Sequence, residues 1–123
     1  MIPDNVKKII KKGEIMVFGT ASKDGIPNLI AVECCGLFDE QILIADCQFN
    51  KTLLNLKENN QISILINNKK EYFQLKGKAE YFDSGRWFEK VKKINEQTEY
   101  KPKGAVVVTV NDIYDLNKCE KLT

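Results

Sequence analysis

The chain has 123 residues, 43% hydrophobic and 29% charged, which suits one folded domain over residues 1–123 and leaves little room for a second. Its formal net charge is only +2, and Asp and Glu are mixed among the lysines, which argues against a nucleic-acid surface that tracks phosphates. No N-terminal run resembles a signal peptide and no stretch is long enough to span a bilayer, so neither export nor a membrane partner is expected.

The four cysteines, Cys34, Cys35, Cys47 and Cys119, have no CxxC spacing, and the chain has no histidine. That argues against the usual zinc ligand sets and suits a reducing, cytoplasmic setting. The missing histidine also removes the commonest general base and every Ser-His or Cys-His nucleophile pair, so enzymatic chemistry would have to come from a bound cofactor. A domain this small leaves apolar surface exposed, and dimerisation is expected on that ground.

The first segment, Pro3 to Gly13, predicts a short helix: Pro3 suits the first turn, Val6, Ile9 and Ile10 share a face, and Gly13 suits the end. Ile15 to Ala21 reads as a buried strand. The turn Ser22-Lys23-Asp24-Gly25 carries an Asp-Gly hairpin signal into a second strand, Asn28 to Phe38. Gly36 within that strand predicts a bulge or a close backbone approach. Asp39-Glu40 turns the chain into a third strand, Gln41 to Asp46.

A second helix then begins, with Asn50 as its expected cap and Leu53, Leu54 and Leu56 as its apolar side. Ile62, Ile64 and Ile66 alternate with Ser63, Leu65 and Asn67 in a fourth strand. Asn67 to Lys70 is a turn, and Glu71 to Phe82 is a long fifth strand that Gly77 allows to bend. Lys76 and Lys78, on either side of Gly77, read as surface lysines. Ser84 is the expected cap of a third helix, whose stripe Trp87, Phe88, Val91 and Ile94 reads as core. A polar stretch, Asn95 to Lys103, leads to the last strand, Ala105 to Leu116. The chain is thus expected to be mainly β, a six-stranded antiparallel split β-barrel with three short flanking helices; a barrel protects the strand edges.

Chemistry concentrates between Cys47 and Asn60. A strand ends at Asp46, the chain turns, and Asn50-Lys51-Thr52 opens a helix, where unpaired N–H groups and the positive end of the helix dipole favour a phosphate. Lys51 adds a full charge and Thr52 a hydroxyl donor. The same three residues would serve equally as a plain cap with two solvated neighbours, and local chemistry leaves both readings open.

The succession VFGTASKDGIPNLIAV, ILIADCQFNKTLLNLKENNQISILI, FQLKGKAEYF and KPKGAVVVTVNDIYDL resembles the small FMN-binding split-barrel proteins of the pyridoxamine 5'-phosphate oxidase-like superfamily. The resemblance runs in order through nearly the whole chain, and its most specific parts are FNKT..NL..N and AVVVTV..IY. It implies a homodimer with FMN at the subunit interface and the phosphate on Lys51 and Thr52. It also implies that Ala31, Val32, Glu33, Cys34 and Cys35 border the flavin ring, and that Cys47, Gln48, Phe49 and Asn50 lie along the ribityl chain and ring. Tyr100 to Lys103, with Tyr100 and Lys103 as the contacting residues, would reach the partner's site.

Some small relatives carry a tryptophan near the ring in the second strand and another before the last strand. Here Glu33 and Lys101 stand near those places, so stacking would fall to Phe49 or Tyr100. Arg86, the only arginine, lies in the third helix and reads as surface; no second phosphate clamp and no C-terminal Arg/His substrate motif is evident, which argues against vitamin B6 oxidation.

Beside a flavin, Cys34 and Cys35 invite a thiol shuttle. Neighbours on a strand point to opposite faces, however, and an adjacent-cysteine disulfide is strained, so ordinary strand thiols are expected. Glu33 would either disfavour an anionic reduced ring or stand solvated at a dimer rim. The resemblance therefore implies an FMN-dependent oxidoreductase or electron carrier, its small-molecule or protein electron partner unspecified. A non-catalytic FMN or phospho-ligand sensor or store is the alternative. A barrel binding single-stranded nucleic acid would need aromatic platforms amid excess positive charge, which this composition does not supply.

Overall fold

The computed structural model describes all residues, 1–123. Helix α1 (Asp4–Lys7) precedes strands β1 (Ile15–Ala21), β2 (Pro27–Phe38) and β3 (Gln41–Asp46). Helix α2 (Lys51–Glu58) leads to β4 (Gln61–Asn67) and β5 (Tyr72–Phe82), and α3 (Arg86–Ile94) to β6 (Gly104–Asp115) and β7 (Glu120–Lys121). The sheet order is β3-β2-β1-β4-β5-β6-β7, and β3 also pairs with β6 from Gln41↔Thr109 to Asp46↔Gly104. That pairing closes six antiparallel strands into a barrel, as expected, and leaves β7 as a short addition on β6. No helix is long and apolar enough to cross a membrane.

Alternation explains the layers. Phe18 on β1, Ile42 and Ile44 on β3, Ile62, Ile64 and Ile66 on β4, Phe73 and Leu75 on β5, and Val106 and Val108 on β6 share the main core, joined by Ile2, Val6, Ile9 and Ile10. The intervening residues Leu43, Ala105 and Val107 face outward, where α3 covers them with Trp87 and Val91. Strands β3 and β6 are therefore buried on both faces, which is why they read as unbroken apolar runs.

Several local expectations are corrected. Helix α1 covers only Asp4–Lys7, because Ile9 and Ile10 donate to Val6 and Lys7 in tight i→i−3 turns. That winding sends both neighbouring isoleucines inward. Ser84 does not cap α3; Gly85 holds the N-cap position with no side-chain bond. Asn50 likewise holds the N-cap position of α2 without a side-chain bond. The buried side of α2 is Thr52, Asn55 and Leu56, whereas Leu54 is 54% exposed. The second strand begins at Pro27, the fifth at Tyr72 and the last at Gly104, one residue from each expected start.

Two irregularities shape the barrel. The β2–β3 register shifts between Cys34 and Gly36, so Cys35 is an extra, bulged residue. Cys34 joins the barrel core while Cys35 joins the outer cluster beneath α3, as expected of strand neighbours. Burial pushes the Cys34 thiol up to about 11 and raises Cys35 as well, so neither is a thiolate at neutral pH. Gly77 sits at the β5–β6 register shift, where an added Cβ would collide with the Thr109 carbonyl.

Two outcomes follow from this packing. Gly77→Ala should lower unfolding free energy by about 1–3 kcal/mol in denaturant melts, the usual cost of overpacking, and an unchanged midpoint would contradict the close approach. Alkylation of the folded chain at pH 8 should modify exposed Cys119 well before Cys34 or Cys35. Equal labelling of all three would show that the strand thiols are accessible.

Candidate functional site

A large concavity lies on the outside of the barrel, between the face of β2, the end of β3 and the C-terminal end of α3. It is a groove of about 850 Å³, within the range of small-molecule and cofactor sites. Of the residues expected from the sequence, Ala31, Val32, Glu33, Cys34, Cys35, Cys47, Gln48, Phe49 and Tyr100 line it. Asn50, Lys51, Thr52 and Lys103 do not. The first three follow directly after Phe49 and open α2, while Lys103 donates through Nζ to the Phe49 carbonyl at 3.0 Å. Tyr100 and Lys103 thus adjoin their own chain's groove.

The groove floor is apolar, from Ile15, Ile30, Ala31, Val32 and Ala45, and its rim is polar, from Gln48, Asn95, Gln97 and Thr98. Lys12, Lys93 and Glu33 supply its full charges. The wall formed by Lys93 to Thr98 was not legible beforehand, because nothing in a polar linker signals which strand face it will lean on. Asn95 Nδ2 donates to the Val91 carbonyl at 2.8 Å and closes the C-terminal turn of α3. Cys47 is raised by burial and by the neighbouring Asp46, so no groove cysteine is a ready nucleophile.

The corner at α2 differs from the expected open pair. Lys51 is exposed and free of any carboxylate within ion-pair distance. Thr52 is only 2% exposed, and its Oγ1 accepts from Asn28 Nδ2 at 3.1 Å. One turn on, Asn55 Nδ2 donates to Thr20 Oγ1 at 3.0 Å, and Thr20 faces Asn28 across the β1–β2 ladder. These four residues fasten the start of α2 to the hairpin. A hydroxyl that accepts from Asn28 still has its own proton to donate, so Asn28 orients Thr52 as a donor. Asn28, expected only as the start of a strand, thus adjoins this corner. The first amides of α2 lack intrahelical acceptors, which suits an anion beside Lys51.

This donor set fits a ligand with a phosphate at one end and a flat apolar body at the other. The amides, the Thr52 hydroxyl and the Lys51 ammonium suit the phosphate of FMN, and the apolar floor suits its ring. The titratable residues of the groove are Lys12, Glu33, Lys93, Tyr100 and the three raised cysteines.

The chain matches the family described as pyridoxamine 5'-phosphate oxidase over residues 2–117. It is similar to an uncharacterised protein of Methanocaldococcus jannaschii, 38% identical over 111 residues, covering 85% of this chain and 74% of that one. Among solved structures, HupZ of Group A Streptococcus superposes with TM-score 0.88 at 20% identity, covering 100% of both chains. An FMN-binding protein from Syntrophomonas wolfei gives 0.72 at 15% identity, covering 89% of this chain and 80% of that one. HutZ, the haem storage protein of Vibrio cholerae, gives 0.70 at 13% identity, covering 90% and 92%. At such identities these structures speak for the fold alone. With the family match running over residues 2–117 and the archaeal relative alike over most of both chains, the chain belongs to the pyridoxamine 5'-phosphate oxidase family.

Proposed function

We propose that the chain binds FMN and acts as a flavin-dependent oxidoreductase or electron carrier of the reducing cytoplasm. The observation that carries this reading is that Phe49, which lines the groove bordered by Ala31 to Cys35, is followed directly along the chain by the α2 corner of Lys51 and Thr52. In it, Lys51, Thr52 and the first amides of α2 hold the phosphate, and Thr52, an acceptor from Asn28, keeps its own proton to donate. Asn50, Gln48 and Cys47 run along the ribityl chain, and Phe49 and the outer face of β2 flank the ring. Bound FMN supplies the hydride or single-electron chemistry; the chain's residues anchor it and control solvent around it.

A homodimer with the sites at its interface belongs to the same proposal. Ile15, which lines the groove, and Leu29, which does not, lie on the outer face of the β1–β2 ladder and are 62% and 70% exposed. Apolar surface of this kind favours burial against a second copy. In that assembly Tyr100 and Lys103 would serve the partner's site as well as bordering their own groove.

A second reading, a non-catalytic holder of FMN or another phosphorylated ligand, is favoured by one observation: the groove offers no histidine and only un-ionised thiols. A haem store on the pattern of HutZ would have to manage without imidazole ligation, since the chain has no histidine.

The purified chain should bind about one FMN per chain and turn yellow; failure to take up FMN would overturn the proposal. Lys51→Ala should weaken FMN about ten-fold, the worth of one charge-assisted contact, and leave riboflavin nearly unchanged. Equal weakening of both would misplace the phosphate. Lys51 is the cleaner probe, because Thr52→Ala also breaks the Asn28 bond. Reduction of bound FMN by NADH or NADPH without oxygen supports the redox reading, and its absence supports the holder.

A further inference from the structure

Asp46 lies wholly buried at the end of β3, third in an inward row after Ile42 and Ile44, where an apolar side chain would continue the core. A carboxylate there is costly unless its oxygens are bonded. Both are. Its Oδ2 accepts from the Tyr81 hydroxyl of β5, and its Oδ1 accepts from the Phe49 amide at 2.7 Å. Burial, and then the carboxylate itself, drives the Tyr81 pKa upward, so this hydroxyl remains a donor.

The backbone completes a clasp. The Asp46 carbonyl accepts from the Lys103 amide at 2.7 Å, and Lys103 Nζ donates to the Phe49 carbonyl at 3.0 Å. Phe49 is therefore held at both of its backbone groups, by two residues that do not line the groove it walls. Gly104, opposite Asp46 in the β3–β6 ladder, keeps the space clear, since a Cβ there would collide with the Tyr81 hydroxyl.

We infer that Asp46 is a positioning residue: with Tyr81 and Lys103 it fixes the turn from Cys47 to Asn50, so that Phe49 walls the groove and α2 starts at its end. The inference rests on the flavin reading for its functional consequence, and on the clasp for its structural one.

The test uses the full chain with Asp46→Ala, Asp46→Asn and Tyr81→Phe, read by residue-resolved amide exchange without flavin and by flavin titration. Asparagine keeps an acceptor for the Phe49 amide and can donate to the Tyr81 oxygen; alanine can do neither. Asp46→Ala should speed exchange of the Phe49 amide about ten-fold or more, while Asp46→Asn stays within about three-fold of the native chain. FMN and riboflavin affinities should fall together, by about ten-fold in the alanine variant and about three-fold in the asparagine variant, unlike the phosphate-selective Lys51→Ala. If Asp46→Ala does not fold, Tyr81→Phe carries the test, with a smaller acceleration confined to the same turn.

Unchanged exchange at Phe49, or an acceleration spread evenly over the strands, would overturn the positioning role. Faster exchange with unchanged flavin affinity would overturn its functional part. A native chain that binds no flavin would sink the flavin reading separately, while the exchange measurement still judges the clasp.

Discussion

The candidate site depends on one buried carboxylate. Asp46 ends the strand that closes the barrel, and its oxygens tie β5 through Tyr81 to the turn through Phe49. Because β3 pairs with β6 as far as Asp46↔Gly104, the same residue also receives the chain returning to the barrel, through the Lys103 amide. Three segments thus meet at one buried residue, two at its side chain and one at its backbone carbonyl, and hydrogen bonds in such a desolvated place are worth more than in water and costlier to break. The groove wall and the start of α2 are set at this point.

Around that junction the barrel divides its work between layers. Its interior is a closed apolar core with no evident chemistry, and Cys34 within it is kept as a thiol by burial. The outer layer beneath α3 buries Leu43, Ala105, Val107 and Cys35, and the C-terminal end of the same helix becomes the second wall of the groove. At the far side of Phe49, Thr20, Asn28, Thr52 and Asn55 replace an ordinary cap with side-chain bonds between helix and hairpin. That arrangement holds α2 against the hairpin. Similar barrels are found in a protein that binds FMN and in one that stores haem, so the fold does not choose the ligand. In the proposed reading the choice falls to residues such as Lys51 and the Asn28–Thr52 pair.

Much of this was legible in the sequence, for physical reasons. Strands β1 to β6 announce themselves by two-residue alternation or by doubly apolar runs, and Gly36 and Gly77 mark the register shifts that they do occupy. Cys47 to Thr52 stands out because a strand end, a turn and a helix start lie within a few residues. Bonds across long sequence separations were not legible. Tyr81 is 35 residues from Asp46, and Asn55 is 35 from Thr20. Gly85 takes the cap position expected of Ser84, and Asn50 holds its expected cap position without a side-chain bond, because composition shows which residues can cap but not where their side chains turn. Strand β7 rests on backbone bonds between Ile113 and the segment Leu122–Thr123 and has no apolar pattern to reveal it.

The central claim is that one continuous site runs from the β2 face, past Phe49, to the first turn of α2. Its most direct measurement is a crystal structure of the chain grown with FMN. The phosphate should lie within hydrogen-bond distance of Lys51, Thr52 and the first α2 amides, and the ring should lie against Ala31 to Cys35. Flavin bound elsewhere, or a phosphate pointing away from α2 with Lys51 and Thr52 untouched, would contradict the account.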